Sequence, residues 1–386
     1  MKSLRLILSK ATYFAPSWVF LSINILIGTW VLYLPYIKAK FDLNDAEIGF
    51  SLFFVALGLL ISLPFVPVTN RKIGVGKSTK IGIILLAIAY NLPLIAPTYV
   101  FLCGALFCVG VFSGFTSTSL NTLTAVIERK EAQNFMSAAH GFFSLGGFIG
   151  AGIGSIYISQ FSNPYIHMLG VSSFIILTTF FLAKNYEKVK GADAEKLKND
   201  LGFLKTIKPL LVISVIAFII MFNEGAVEHW SNLFLFEIVK VSESKAGLGF
   251  IIFSLTMTIG RFLGDGLSNK IGSMKTIIYG CVVALISYMF VVSANLYLTV
   301  LGFGFLGFGL SVIVPEIYRV AGKTKDLETS LAISIVSGIG FVGFLVGPVI
   351  LGTISTWSSL VTSYVFLAVL ICVAFCLALL VSRKRV

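Results

Sequence analysis

Twelve apolar stretches, each long enough to cross a bilayer, dominate this chain and leave little room for any other architecture. They fall near residues 14–36, 47–69, 79–96, 98–127, 134–158, 166–183, 209–236, 246–268, 275–293, 296–320, 330–352 and 359–381. A spanning helix needs about 20 mostly apolar residues. Backbone immersed in lipid must satisfy its own polar groups, which only helices and closed barrels achieve. Barrel strands alternate in hydropathy, whereas runs such as Ile81–Ala89 and Val365–Val381 are continuously apolar. The expected fold is therefore an all-α membrane protein of 12 transmembrane helices. Composition agrees, with 57% hydrophobic and 12% charged residues, against roughly 45–50% and about 25% in soluble domains.

The net charge of +12 is topological. All but five of the 29 Lys and Arg residues lie at the two ends of the chain or around the even-numbered gaps between spans. The exceptions are Lys38, Lys40, Lys240 and Lys245 in outer gaps, and Arg261 within span 8. Basic residues concentrate on the cytoplasmic side of a membrane, so both termini are expected in the cytoplasm, and no nucleic-acid partner is expected. The first apolar run is of span length and lacks a small-residue cleavage site, which reads as a retained helix. Abundant Ile, Phe and Asn with loop lysines suit a bacterial inner (cell) membrane. The five cysteines fall inside spans without metal-ligand spacing and read as small apolar fillers.

The chain repeats itself once. Lys72-Ile73-Gly74 after span 2 recurs as Lys270-Ile271-Gly272 after span 8, and Gly49 matches Gly247 at the same offset. Gly141–Gly154 of span 5 resembles Gly338–Gly352 of span 11. Two pseudo-symmetric six-helix bundles follow, residues 1–183 and 209–386, joined by a polar cytoplasmic linker at 184–208. A solute site is expected between them near the bilayer midplane.

These features resemble the major facilitator superfamily. Its members carry a glycine-rich basic loop between spans 2 and 3, echoed between spans 8 and 9; here the loops Pro67–Lys77 and Asp265–Lys275 keep Gly74 and Gly272. The aspartate position of that motif holds Arg71 in the first loop and Asn269 in the second. Met136-Ser137, His140-Gly141 and Ser144-Leu145-Gly146-Gly147 in span 5 resemble the fucose-permease-like branch and its bacterial inner-membrane relatives. So do Glu224-Gly225-Ala226 with Trp230-Ser231, and Gly260-Arg261 with Gly264-Asp265. The resemblance implies the major facilitator fold and transport, with sugar–proton symport as the branch's characterised activity.

An ionisable side chain inside a span costs roughly 2.5–3.5 kcal/mol on insertion scales, which makes it a functional candidate. Glu224 and Glu228 share one face of span 7, toward its outer half, and neither has a basic residue within a helical turn. They are candidate proton-coupling groups, Glu224 first because it matches the branch motif. His140, in span 5, could relay a proton or hold the inner gate. Span 4 presents a polar face that includes Ser117 and Asn121, suited either to a cavity or to helix packing. With Asn24 and Trp30 in span 1 and Asn223 and Trp230 in span 7, these are candidate solute contacts. Arg261 and Asp265 are expected to form an intrahelical ion pair that gates the inner face, with Glu316–Arg319 and Glu128–Arg129 in similar roles.

No nucleotide-binding loop, metal-ligand cluster or nucleophile–base pattern stands out, and Gly74–Ser78 lacks P-loop spacing. An enzyme is not expected, nor any cofactor or metal. The reading is a secondary active transporter of a small polar solute, which the family resemblance implies to be a sugar, working by alternating access as a monomer with protons as co-substrate. Proton-coupled efflux of drugs, siderophores or metabolites is the alternative, and a non-transporting solute receptor is a third class.

Overall fold

The computed structural model describes residues 2–31, 33–43, 45–161, 163–191, 208–241, 248–324 and 327–384. Most of the expected linker, and Gly247, Lys245 and Lys325, lie outside the described residues. The N-terminal half contains α1 (Lys2–Ser9), α2 (Ala11–Val31), α3 (Leu34–Phe41), α4 (Asp45–Ser62), α5 (Phe65–Ile73), α6 (Val75–Ala89), α7 (Leu92–Ile95), α8 (Tyr99–Glu131), α9 (Met136–Gln160) and α10 (Pro164–Leu182). The C-terminal half contains α11 (Leu211–Glu237), α12 (Leu248–Ile271), α13 (Ser273–Val291), α14 (Leu296–Ser311), α15 (Ile313–Gly322), α16 (Thr329–Trp357) and α17 (Leu360–Lys384).

The twelve expected spans map onto these helices, two of them in broken form. Span 2 is α4 and α5, bent by 53° at the Leu63-Pro64 step, where proline removes a backbone donor. Span 10 is α14 followed by α15, broken at Val312 ahead of Pro315. Span starts carry their own caps. Thr98 accepts the Phe101 amide, and Asn163 and Asn295 each accept two amides of the following turn.

The sequence repeat is a packing repeat. Gly74 and Gly272, matched by sequence offset, adopt φ of 91° and 85°, a left-handed region that glycine enters without steric cost. Gly146 and Gly150 of α9 lie against the backbone of Leu21 and Ile25 in α2. Gly343 and Gly347 of α16 lie in the same way against Phe218 and Phe222 of α11, each member shifted by 197 positions. A methyl group at Gly146 would sit 2.1 Å from the Leu21 carbonyl oxygen, and at Gly343 2.3 Å from that of Phe218. Each half has its own apolar core; among the described residues, Ala125 and Met136 are the buried members from the N-terminal half that join the C-terminal one. Between halves, α9 packs on α12, and α16 on α5 and α8.

Candidate functional site

The start of the linker packs on the α5–α6 turn, which marks one end of the bundle, here the basic end. There the two halves are joined by a buried charge cluster. Arg319 of α15 is 2% exposed, and its Nε and Nη2 donate to both carboxylate oxygens of Glu128 in α8, at 2.8 and 2.9 Å. Nη2 also donates to Asp265 of α12 at 2.7 Å, and Nη1 donates to Glu316 and to Ser268. Three carboxylates thus meet one guanidinium. The N-terminus of α9 supplies the balance: Phe135 and Met136 amides donate to Glu128, and Ser137 and Ala138 amides to Asp265. These are the donors a helix start leaves unmet, and its dipole favours anions. Nothing at the Phe135 cap position could do this, since its side chain offers no acceptor.

Around the cluster, further bonds tie the same end together. Asn70 Nδ2 donates to Ser330 Oγ at 2.7 Å, and Asn134 to Asn269 at 2.8 Å. Arg71 approaches Glu328 at 3.5 Å. These two motif-departing residues, Arg71 and Asn269, therefore both make contacts across the halves.

A second polar group lies deeper, between the halves and outward of the cluster. Glu224 sits at the midpoint of α11 and is half-buried. Its Oε1 faces Arg261 Nη2 of α12 at 3.9 Å, too long for a hydrogen bond. Arg261 Nη1 reaches across to Ser144 Oγ of α9 at 2.6 Å. One turn toward the basic end, His140 Nε2 pairs with Asn121 Oδ1 at 3.0 Å, and its ring lies 4.7 Å from Phe20 and 6.2 Å from Tyr318. His140, Ser144, Ser117, Asn24 and Glu224 are all partly exposed although they lie in the interior of spans. Glu228, one turn outward on α11, is exposed. These side chains gather a polar, partly exposed site between the halves, one turn beyond the charge cluster along α9 and α12.

Several expectations require correction. Arg261 and Asp265 do not pair: Asp265 binds Arg319 and the start of α9, and Arg261 turns to Ser144 and Glu224. The helix supplies a shared face, but each side chain finds a nearer partner on another span. Arg129 is exposed while its neighbour Glu128 is 4% exposed, because consecutive helical residues point about 100° apart. Asn223 is fully buried, donating to Ile219 O and accepting from Tyr288, so it faces α13 rather than the other half. Glu224 is central rather than outer. Trp30 is 5% exposed in the N-terminal core, and Trp230 packs on Gly352 with its indole N–H buried. Asn24 binds Phe143 O of α9 at 2.8 Å and Asn121 binds its own helix at Ser117 O. Glu316 and Arg319 do pair. Ser144, Tyr318, Ser268 and the α9 amides were not singled out as site residues. A span-5 motif containing Ser144 was their one sequence signal.

The Major Facilitator Superfamily model matches residues 18–237 and 213–386. An uncharacterised transporter of this type from Yersinia pestis is 28% identical over 92% of this chain and 92% of its own length. A multi-drug resistance efflux pump homolog from Lactococcus lactis is 25% identical over 75% of each chain. The E. coli fucose:proton symporter superposes with a TM-score of 0.73 at 16% identity, covering 95% of this chain and 97% of that one.

Proposed function

The chain belongs to the Major Facilitator Superfamily, and on that premise we propose that this multi-pass membrane transporter moves a small polar solute by alternating access, with protons as the coupling ion. The observation that carries the coupling is Glu224: a carboxyl at the middle of a span, between the halves, held by no hydrogen bond at Oε1 and opposed by a guanidinium at 3.9 Å. A carboxyl so placed can exchange its proton with whichever side the pocket faces.

In the mechanism, the charge cluster is the inner gate. Arg319, Glu128, Asp265 and the α9 amides hold the basic ends together while the pocket faces outward. The distribution of Lys and Arg supports a cytoplasmic position for that end and both termini, in a bacterial cell membrane. Solute enters from outside and contacts Arg261, Ser144, Ser117, Asn24 and the His140–Asn121 pair. Glu224 takes a proton as the solute binds, Arg261 turns from Glu224 to the solute, and the gate then parts. The glycine contacts of α9 on α2 and α16 on α11 keep each half rigid while the halves rock against each other. Import by symport is the first reading, supported by the likeness to the fucose:proton symporter. Efflux is the second, supported by the Lactococcus relative.

The test uses purified protein in liposomes with a pH-sensitive dye inside, challenged with a panel of polar solutes. Solute-dependent inward proton flow supports symport; solute-driven outward flow of protons with the opposite solute gradient supports exchange. Solute movement with no proton movement in either direction sinks the coupling.

A further inference from the structure

Two buried arginines lie near one another, Arg319 bound to Asp265 and Arg261 about one turn before Asp265 on α12, and only one of them is satisfied. Every guanidinium nitrogen of Arg319 has a partner. Arg261 is 8% exposed, yet its one hydrogen bond among the described residues runs from Nη1 to Ser144. Its Nε is buried without a partner, and Nη2 stands 3.9 Å from Glu224. Glu224 Oε1 is likewise unpartnered. A pair that served only to hold α11 against α12 would close to hydrogen-bond distance, as Arg319 and Glu128 do. A buried guanidinium with unmet donors is costly to keep, and its Nε–Nη2 edge matches a carboxylate with two parallel bonds.

Resting on the transport reading of this same pocket, we infer that the solute carries a carboxylate, which docks on the Nε–Nη2 edge of Arg261 between Ser144 of one half and Glu224 of the other. The body of the solute then lies toward Asn24 and Ser117, whose partial exposure and polar atoms suit hydroxyl groups. The chemical class is a small hydroxylated monocarboxylate, such as a sugar acid. One guanidinium compensates one carboxylate in a low-dielectric site. With the solute on Arg261, Glu224 crosses with a proton bound, and on release of the solute Arg261 faces Glu224 again and the proton leaves. The cycle moves one proton with each monocarboxylate and no net charge. The other titratable groups facing the pair are Glu228 on α11, His140 on α9 and Tyr318 on α15.

The experiment compares matched solutes in proteoliposomes that carry a pH dye and a membrane-potential dye: glucose against gluconate and glucuronate, galactose against galacturonate. The inference expects proton entry with at least one acid, at a rate at least tenfold above its neutral twin, and no potential-dye response. The same acid should raise the melting temperature of the purified wild type. Arg261→Lys, which keeps the charge but loses the fork, should raise the half-saturating concentration at least tenfold; Arg261→Gln should abolish acid transport and the melting shift while remaining folded by melting. Neutral sugars moved as well as their acids would overturn the carboxylate and leave the transport reading standing. Acid transport undiminished in a folded Arg261→Gln would do the same. A wild type that neither moves nor is stabilised by any of the acids also overturns the inference; failure of that protein to move any solute, amphipathic cations included, counts against the transport reading itself.

Discussion

Glu128→Gln separates the gate from the fold. In the wild type, Glu128 Oε1 accepts the Phe135 and Met136 amides of its own half, and both oxygens accept from Arg319 of the other half. Glutamine keeps a carbonyl oxygen for the two amides, so the α8–α9 turn is retained. Its NH2 group replaces Oε2 and stands 2.8 Å from Arg319 Nε, donor against donor. Two charge-assisted bonds across the halves weaken, at about 1.5–3 kcal/mol each. Taking about 3 kcal/mol in total, the ratio of inner-closed to inner-open protein falls about a hundredfold. The assay places a cysteine at Ala125, 8% exposed at the junction where Gly322 of the other half packs, in a background lacking the five native cysteines. Labelling by an impermeant maleimide in inside-out vesicles should speed up by one to two orders of magnitude in Glu128→Gln. An unchanged rate, in protein with a wild-type melting curve, would refute the gating role of this pair.

The remaining predictions concern the gate, the repeat and the linker. Asp265→Asn should also open the basic end to labelling, because it weakens the bonds to the Ser137 and Ala138 amides across the halves; protection equal to wild type would count against it. Gly146→Val and Gly343→Val should lower the detergent melting temperature to a similar degree, overpacking a helix pair by about 1–3 kcal/mol or more, and a tolerated valine at either site would contradict the close backbone approach. At the start of the linker, Lys80 donates to Glu187 at 2.8 Å and holds its carboxyl below the usual carboxylate range. A depressed carboxyl stabilises above its unfolded value, and that contribution fades as pH falls through the lowered one. The Gly76 amide, bonded to Val189 O, should therefore lose hydrogen-exchange protection below about pH 4, and Lys80→Ala should remove that pH dependence.

The spans and the glycine repeat were legible because apolar length and glycine spacing are written along the chain. Gly74 and Gly272 share an offset in sequence and a backbone conformation in space. The pairing of charges was less legible. Spacing correctly joined Glu316 to Arg319, but it could not show that Asp265 would turn from Arg261 to the start of α9, a helix 128 positions away in sequence. Nor could it show that a guanidinium from span 8 would face Glu224 on span 7. Helical periodicity assigns a face, and the neighbours of that face are set by how the spans pack. Asn223 illustrates the same limit: next to Glu224 in the chain, it points to α13 and bonds Tyr288.

The coupling role of Glu224 is the centre of the account, and Glu224→Gln tests it most directly. Purified variant and wild type would be reconstituted side by side, measuring exchange of a transported solute across the vesicle membrane and its uphill accumulation under an imposed proton gradient. The account predicts that the variant exchanges solute but fails to accumulate it. Accumulation by Glu224→Gln equal to that of wild type would contradict it.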